Sequence, residues 1–244
     1  FQHEIIEKEG KLKAEIPTPG RNVELERDLK ESLKEKLEPA IYQKDKQERY
    51  KSTEDIKMEL FEYVGQQYPE QYENLACAGD FFDQEVDKII HENIIQRGKR
   101  PDGRGLEELR DISCEVGLLP RTHGSGLFMR GQTKALSILT LGAPGDHQIL
   151  EGMEIVGKKR FMHHYNFPPY CSGEVKPLRS PGRREIGHGM LAEKTLLPLI
   201  PSFENFPYTI RGVTEIISSN GSTSQAAVSA SSLALMDAGV PVTT

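Results

Sequence analysis

The chain has 244 residues, of which 28% are charged and 36% hydrophobic, and its net charge is −6. This composition indicates a soluble globular protein with one large domain or two smaller ones, and the negative sum disfavours a general nucleic-acid binder. No apolar run approaches the roughly 18 residues of a membrane span, no signal peptide opens the chain, and three scattered cysteines indicate the reducing cytoplasm rather than a disulfide framework.

The first 97 residues predict an all-helical region. The opening "FQHEIIEKEGKLK" is typical of the end of a helix, and "AEIPTPGRN" (14–22) indicates a linker. Leucines at every fourth position predict a helix whose apolar stripe packs in a core, with Pro39 as a stop or kink. A second helix is predicted to begin near Ser52, which with Asp55 resembles a capping box, and a third covers 80–97. The leucines are Leu25, Leu29, Leu33 and Leu37.

The pattern changes after Arg100, so we place a domain boundary near residue 98. The residues of "RPDGRG" are typical of a turn. Strands are predicted in "ISCEVGLL", "GLFMRGQTKALSILTLG" and "FPYTIRGVTEII". Gly212 is expected to soften the last of these strands locally. "GRREIGHGMLAEKTLLPLI" is helical in its later part, and "SQAAVSASSLALMDAGVP" predicts a helix that ends at Gly239 and Pro241. Strands followed by helices indicate a mixed α/β domain.

Charge is distributed unevenly along the chain. Residues 1–100 hold 17 Lys and Arg against 23 Asp and Glu, so this part should repel RNA and is more typical of a regulatory or docking module. Residues 158–184 hold one acid, Glu174, and seven basic residues, which predict either a patch for a polyanion or a solvated loop with scattered charges. The seven are Lys158, Lys159, Arg160, Lys176, Arg179, Arg183 and Arg184.

Several familiar catalytic motifs are absent from the sequence. It contains no G-x-x-x-x-G-K-[ST] loop, no G-x-G-x-x-G after a strand and no G-x-S-x-G elbow. His163 and His164 are adjacent and would point to opposite faces of a strand, and no regular ligand spacing joins them to Cys171 or His188. We therefore predict no metal at these histidines.

Two stretches could bind an anion at the start of a helix. In "SSNGSTSQAAV" (218–228) hydroxyl side chains surround Asn220 and Gly221 just before a helix, which suits either phosphate binding or ordinary N-capping. "SPGRREIGHGML" places Arg183 and Arg184 just before a helix, with His188 one turn on. Arginine pairs bind phosphate oxygens, although these two could instead pair with Glu185.

Long segments of the chain resemble a known family. Residues 98–242 are similar to the second ribonuclease-PH-like core domain of the polynucleotide phosphorylases, through four stretches. Residues 15–97 resemble the all-helical domain that precedes this core, and 1–14 resemble the end of the first core domain. The stretches are "RPDGRGLEELRDISCEVGLLPRTHGSGLFMRGQTKALSILTLG", "RREIGHGMLAEKTLLPLIP", "FPYTIR" and "SNGSTSQAAVSASSLALMDAGVP".

The resemblance implies an α+β fold and a phosphorolytic activity. Proteins of this family degrade single-stranded RNA from the 3′ end with inorganic phosphate, release nucleoside 5′-diphosphates in mRNA turnover, and form homotrimers. Carried over, Ser222, Thr223 and Ser224 would bind phosphate. The residues implied to act on the RNA phosphate are Arg183, Arg184 and His188.

The resemblance also implies a Mg²⁺ or Mn²⁺ ion. The aspartates that hold it in the family would lie beyond Thr244, so we expect a truncated core (98–244) that alone lacks activity. Partners would be RNA, phosphate and RNA-degradation proteins, but neither DNA nor a membrane. The alternatives are a ribonuclease PH or exosome ring subunit, for which the helical domain is unexpected, and a non-catalytic RNA-binding or ring-forming subunit.

Overall fold

The computed structural model describes residues 1–14, 23–33, 35–68, 72–153 and 156–242. These residues form two compact units, Phe1–Leu109 and Arg110–Thr244. The linker predicted at 14–22 falls almost wholly outside the described residues. No helix in the described ranges is both long and apolar enough to cross a membrane.

The N-terminal unit is all-helical. Its helices are α1 (Gln2–Glu9), α2 (Val23–Leu33), α3 (Leu37–Ile41), α4 (Lys46–Gln67) and α5 (Tyr72–Arg97). The leucine stripe is buried, which confirms its predicted place in a core, and it packs with residues of α3, α4 and α5. The buried partners are Ile41, Leu60, Val64, Ala78 and Phe82.

Several predicted helix boundaries in this unit are wrong, among them the start of the third helix, because α5 begins at Tyr72 rather than near residue 80. Pro39 lies inside α3 rather than ending it, because a first-turn residue needs no N–H for an intrahelical bond. Helix α4 begins six residues before Ser52, since the side chain of Asp45 accepts from the backbone N–H groups of Gln47 at 2.7 Å and Glu48 at 3.1 Å.

The C-terminal unit is a five-stranded sheet with two helices on one face. The strands lie in the order β1 (Ile112–Val116), β2 (Gly124–Arg130), β3 (Thr133–Gly142), β7 (Thr209–Ser218) and β6 (Phe161–Asn166), antiparallel except for β6 and β7. This confirms the predicted mixed domain. The hairpin of β4 (Gln148–Glu151) and β5 (Val156–Lys159) was not predicted.

The two helices are α6 (Arg183–Leu196) and α7 (Thr223–Asp237). Helix α7 approaches β2 closely because β2 carries glycines: a Cβ on Gly126 would lie 2.5 Å from the carbonyl oxygen of Ala230. Gly212 does not interrupt β7, because it pairs with Leu139 on one side and His163 on the other. The irregularity in that ladder lies instead opposite Lys134 and Ala135.

Candidate functional site

The turn from β7 into α7 has an unusual backbone. Gly221 has φ 84°, and Ser222 has φ 51° and ψ 44°, which makes Ser222 the non-glycine residue with positive φ in the described ranges. A left-handed residue followed by helical residues turns consecutive N–H groups into one concavity that suits an anion. The first intrahelical bond runs from Ala226 N–H to the Ser222 carbonyl, so the amides before it have no partner in the helix.

The three hydroxyls predicted to bind phosphate have different surroundings. Ser222 is exposed and its side chain makes no capping hydrogen bond, so ordinary side-chain capping does not explain it. Thr223 and Ser224 are only 3% and 8% exposed. The Thr223 hydroxyl bonds the Tyr165 hydroxyl at 2.7 Å. The structure therefore exposes Ser222 to solvent, whereas Thr223 and Ser224 are buried, so the three hydroxyls are not equally free.

Arg183 and Arg184 are the first two residues of α6, not residues that precede it. Both are exposed, and neither has an ion-pair partner among the described residues. Among the described residues no ion pair joins them to Glu185, whose carboxylate accepts from the backbone N–H of Gly182 at 3.0 Å. Two unpaired cations at the positive end of a helix dipole are unfavourable unless an anion binds there.

Arg184 and His188 both contact aromatic rings at the end of β6. The Arg184 guanidinium lies over the ring of Phe167, 4.1 Å from its centre. The ring of His188 lies 5.0 Å from that of Tyr165. Burial, and then the charge of Arg184, lowers the pKa of His188 below its usual value, which keeps the imidazole neutral near neutral pH.

Tyr165 joins the two predicted halves of the site, and sequence reasoning did not find it. It is 2% exposed, contacts His188 with its ring and reaches Thr223 with its hydroxyl. Burial raises the pKa of Tyr165 above its ordinary value, so the phenol stays protonated and able to donate. The alternation of β6, with Phe161 and His163 also buried, could have predicted its burial but not its partners.

Three basic residues of the segment 158–184 bind groups within the C-terminal unit and are therefore not free to bind a polyanion. Lys159 bonds Glu193 at 2.7 Å, and Lys176 pairs with Glu174. The Arg160 guanidinium donates to the carbonyl oxygens of Pro201, Phe206 and Tyr208. The basic residues that remain exposed without an ion pair in the described ranges are Lys158, Arg179, Arg183 and Arg184.

A groove of about 660 Å³ lies beside the start of α6. Its walls are the end of β6 with the turn that follows it, and the segment that leads into α6. Basic, acidic and apolar side chains line it together, including Phe167, Tyr170, Lys176, Leu178, Arg179 and Glu185.

His163 and His164 have different surroundings. His163 is 6% exposed, and its Nε2 lies 3.0 Å from the Thr214 hydroxyl and 2.9 Å from that of Ser231, while its neighbour His164 is exposed. Across the described ranges, no three His, Cys, Asp or Glu side chains are grouped so that they could hold a metal ion.

Two family models match the chain. The model described as "3′ exoribonuclease family, domain 1" matches residues 108–241, which is more than half of the chain. The model described as "Polyribonucleotide nucleotidyltransferase, RNA binding domain" matches residues 24–105. The description of that model names RNA binding, whereas the surplus of acids in the matched region led us to expect that it repels RNA.

Known proteins and structures resemble the chain as well. A polyribonucleotide nucleotidyltransferase of Heliobacterium modesticaldum is 50% identical over 242 residues, which is 99% of the chain and 34% of that protein. The chain thus spans about one third of the length of the curated relative that it matches. A structure of the Archaeoglobus fulgidus exosome with RNA bound to the active site also matches the chain, with a TM-score of 0.52. The match covers 66% of this chain and 68% of the exosome chain. Because the sequence identity is 16%, the similarity is one of fold alone.

Proposed function

Because this chain belongs to the polyribonucleotide nucleotidyltransferases of the 3′ exoribonuclease family, we propose that it forms part of a phosphorolytic 3′–5′ exoribonuclease. Its substrates would be single-stranded RNA and inorganic phosphate. The observation that carries the proposal is the link through Tyr165, which holds the start of α6 and the start of α7 beside each other. The RNA binding named for the matched helical domain, and the RNA bound in the exosome structure of similar fold, support the same substrate.

Inorganic phosphate would bind at the turn before α7. The backbone N–H groups of Ser222, Thr223 and Ser224 and the Ser222 hydroxyl supply donors, and the helix dipole adds positive potential. Thr223 contributes its amide, since its hydroxyl bonds Tyr165. The Ser224 hydroxyl is buried and bonds the Gln225 side chain at 3.3 Å, so we assign Ser224 an amide contact as well.

The terminal phosphodiester of the RNA would bind at the start of α6. Arg183 and Arg184 can each donate two parallel hydrogen bonds to phosphate oxygens. The ring of Phe167 fixes the Arg184 guanidinium, which reduces the entropy lost when it binds. His188, neutral near neutral pH, can donate one further N–H to the same group.

The reaction follows from these two sites. An oxygen of inorganic phosphate forms a bond to the phosphorus of the last phosphodiester, and the bond to the preceding 3′ oxygen breaks. The proton of the hydrogen phosphate ends on that leaving oxygen, and the released nucleotide carries both phosphates as a 5′-diphosphate. The chain's own residues contribute position and positive charge, which are the main requirements of phosphoryl transfer.

Several family properties remain part of the proposal. These are the homotrimer, RNA-degradation partners, mRNA turnover and a cytoplasmic location. A Mg²⁺ or Mn²⁺ ion would offset the repulsion between the two phosphates. The described residues offer no cluster that fits such an ion, so we assign no step to it.

The test uses the protein at the full length of its matched relative, because we expect the truncated core alone to lack activity; this protein is incubated with poly(A), Mg²⁺ and phosphate, and the released nucleotide is identified. We expect ADP, released only when phosphate is present. AMP would contradict phosphorolysis, and binding of poly(A) without any product would favour the non-catalytic subunit. Arg183→Ala with Arg184→Ala should abolish release. The control pair, Arg121→Ala with Arg211→Ala, removes two exposed arginines elsewhere and should leave it unchanged.

A further inference from the structure

The carbonyl groups of the turn before α7 are held by side chains from the other end of the unit's sequence. Arg110 Nη1 donates to the Asn220 carbonyl at 3.0 Å, and Arg130 Nη2 donates to the Gly221 carbonyl at 3.1 Å. The Thr133 hydroxyl donates to the Gly221 carbonyl at 3.2 Å and accepts from the Asn220 N–H at 3.0 Å.

Sheet register explains why these three side chains meet the turn. Arg130 ends β2, where it pairs with Ile112 of β1 and with Thr133 of β3. The start of β3 pairs in turn with the end of β7, where Lys134 lies opposite Ser218. Arg110 just before β1, Arg130 at the end of β2 and Thr133 at the start of β3 therefore lie at the same end of the sheet. The turn that follows β7 lies at that end as well.

The position of Arg110 is constrained further by the β2–β3 hairpin. Gly131, the hairpin residue with φ 55°, leaves room for this side chain, because a Cβ at Gly131 would lie 3.0 Å from Arg110 Cδ. The Gly131 N–H also bonds the carbonyl of Asp111 at 2.8 Å. The arginine therefore packs against backbone on one side and reaches the turn on the other.

These contacts bear on anion binding. Carbonyl oxygens carry partial negative charge, so a turn that binds phosphate through its amides must point its carbonyls elsewhere. Guanidinium groups bonded to these carbonyls fix the peptide planes on both sides of Gly221 and bring two positive charges to the turn. They also offset the cost of the left-handed backbone at Ser222.

We propose that Arg110 and Arg130 are positioning residues for phosphate: they hold the carbonyls of Asn220 and Gly221 so that the amides before α7 stay directed at the anion. This inference rests on the phosphate site proposed above. Neither arginine needs to touch the phosphate. Thr133, which is fully buried, supports the same peptide groups.

The test uses a single NMR signal of this chain. Asn220–Gly221 is the one Asn–Gly pair in the sequence, so labelling Asn with ¹³C at the carbonyl and Gly with ¹⁵N gives one cross-peak that reports the Asn220 carbonyl and the Gly221 amide. Inorganic phosphate is titrated into the wild type, Arg110→Met, Arg130→Met and a control, Arg121→Met, whose exposed arginine lies away from the turn. Thermal unfolding midpoints are recorded for all four.

We expect the wild-type peak to shift saturably with phosphate. Each turn variant should raise the phosphate dissociation constant about tenfold, the size expected when a charge-assisted hydrogen bond that orients a group is lost. The control should bind as the wild type does. Arg110→Met should also move the Asn220 carbonyl resonance before any phosphate is added. Arg130→Lys, which keeps a cationic donor, should recover part of the affinity at an unchanged thermal midpoint.

Three results would overturn the inference, and they differ in what else they affect. No phosphate-dependent shift in the wild type would remove the phosphate site and this inference together. Wild-type affinity in both methionine variants would remove only the inference. Weakened binding with the Asn220 carbonyl resonance of Arg110→Met unmoved would show that carbonyl orientation is not the cause. If Arg110→Met does not fold, Arg110→Lys is judged by the same criteria.

Discussion

The buried His163 should make the stability of the C-terminal unit depend on pH. Its Nε2 lies in a closed group of hydroxyls from Ser137, Thr214 and Ser231, whose oxygens are 2.8–3.1 Å apart. Gly212 leaves room for the ring, since a Cβ there would lie 3.3 Å from His163 Cδ2. Burial lowers the pKa of His163 to about 4, and the nearby His164 adds to the shift while Glu193 opposes it.

The sign and size of the effect follow from this pKa. In the unfolded chain His163 should titrate at roughly pH 6.5, so between that value and about 4 the unfolded state binds more protons than the folded one. The stability that neutral His163 contributes is fully present above roughly pH 6.5 and is lost as the pH falls toward about 4. Between roughly pH 7 and pH 5 we expect a loss of about 2 kcal/mol.

Urea-induced unfolding, followed by the near-ultraviolet circular dichroism of the tyrosines, measures this loss. His163→Gln cannot be protonated, so its unfolding free energy should fall by about 2 kcal/mol less than that of the wild type over the same pH interval. His123→Gln replaces an exposed histidine of the same unit and should keep the wild-type slope. An identical pH slope in wild type and His163→Gln would refute the reasoning.

Three further predictions concern the packing of the site. Tyr165→Phe, which removes a buried hydroxyl, should lower the unfolding free energy measured in urea by about 1 kcal/mol, and an unchanged value would contradict the bond to α7. Ser222→Gly should have a higher thermal unfolding midpoint than Ser222→Ala, by an amount that corresponds to about 1 kcal/mol, because only alanine keeps a Cβ in the left-handed region. Equal midpoints would show that residue 222 does not have a positive φ. Gly126→Ala should lower the unfolding free energy measured in urea by about 2 kcal/mol, because the added Cβ clashes with α7. Gly187→Ala, which has open space around it, should raise the unfolding free energy by about 0.5 kcal/mol through a more stable α6. Equal effects of the two substitutions would refute the close packing of α7 on β2.

Much of the fold was readable because local patterns encode it. The four-residue spacing of the leucines predicted one helix with a buried face; the leucines are buried, but α2 ends at Leu33 and Leu37 begins α3. The small residues of α7 and the terminal Gly239 predicted a helix end that the structure confirms, with the Val240 N–H bonding the Leu235 carbonyl at 3.0 Å. One boundary was wrong because two residues could cap the helix: Ser52 was predicted as the cap, but Asp45, about two turns earlier, caps it in the structure.

The candidate site divides in the same way. The sequence by itself determined the class of residue at each helix start, since arginine pairs and hydroxyl-rich turns are local signals, and its long motifs carried the family resemblance. Only the tertiary structure decided which of those groups are available: Arg160 is used by loop carbonyls, and the Thr223 hydroxyl is used by Tyr165. Contacts such as Arg110 with Asn220 join residues far apart in the chain, and they depend on strand register and helix packing, which no local pattern contains.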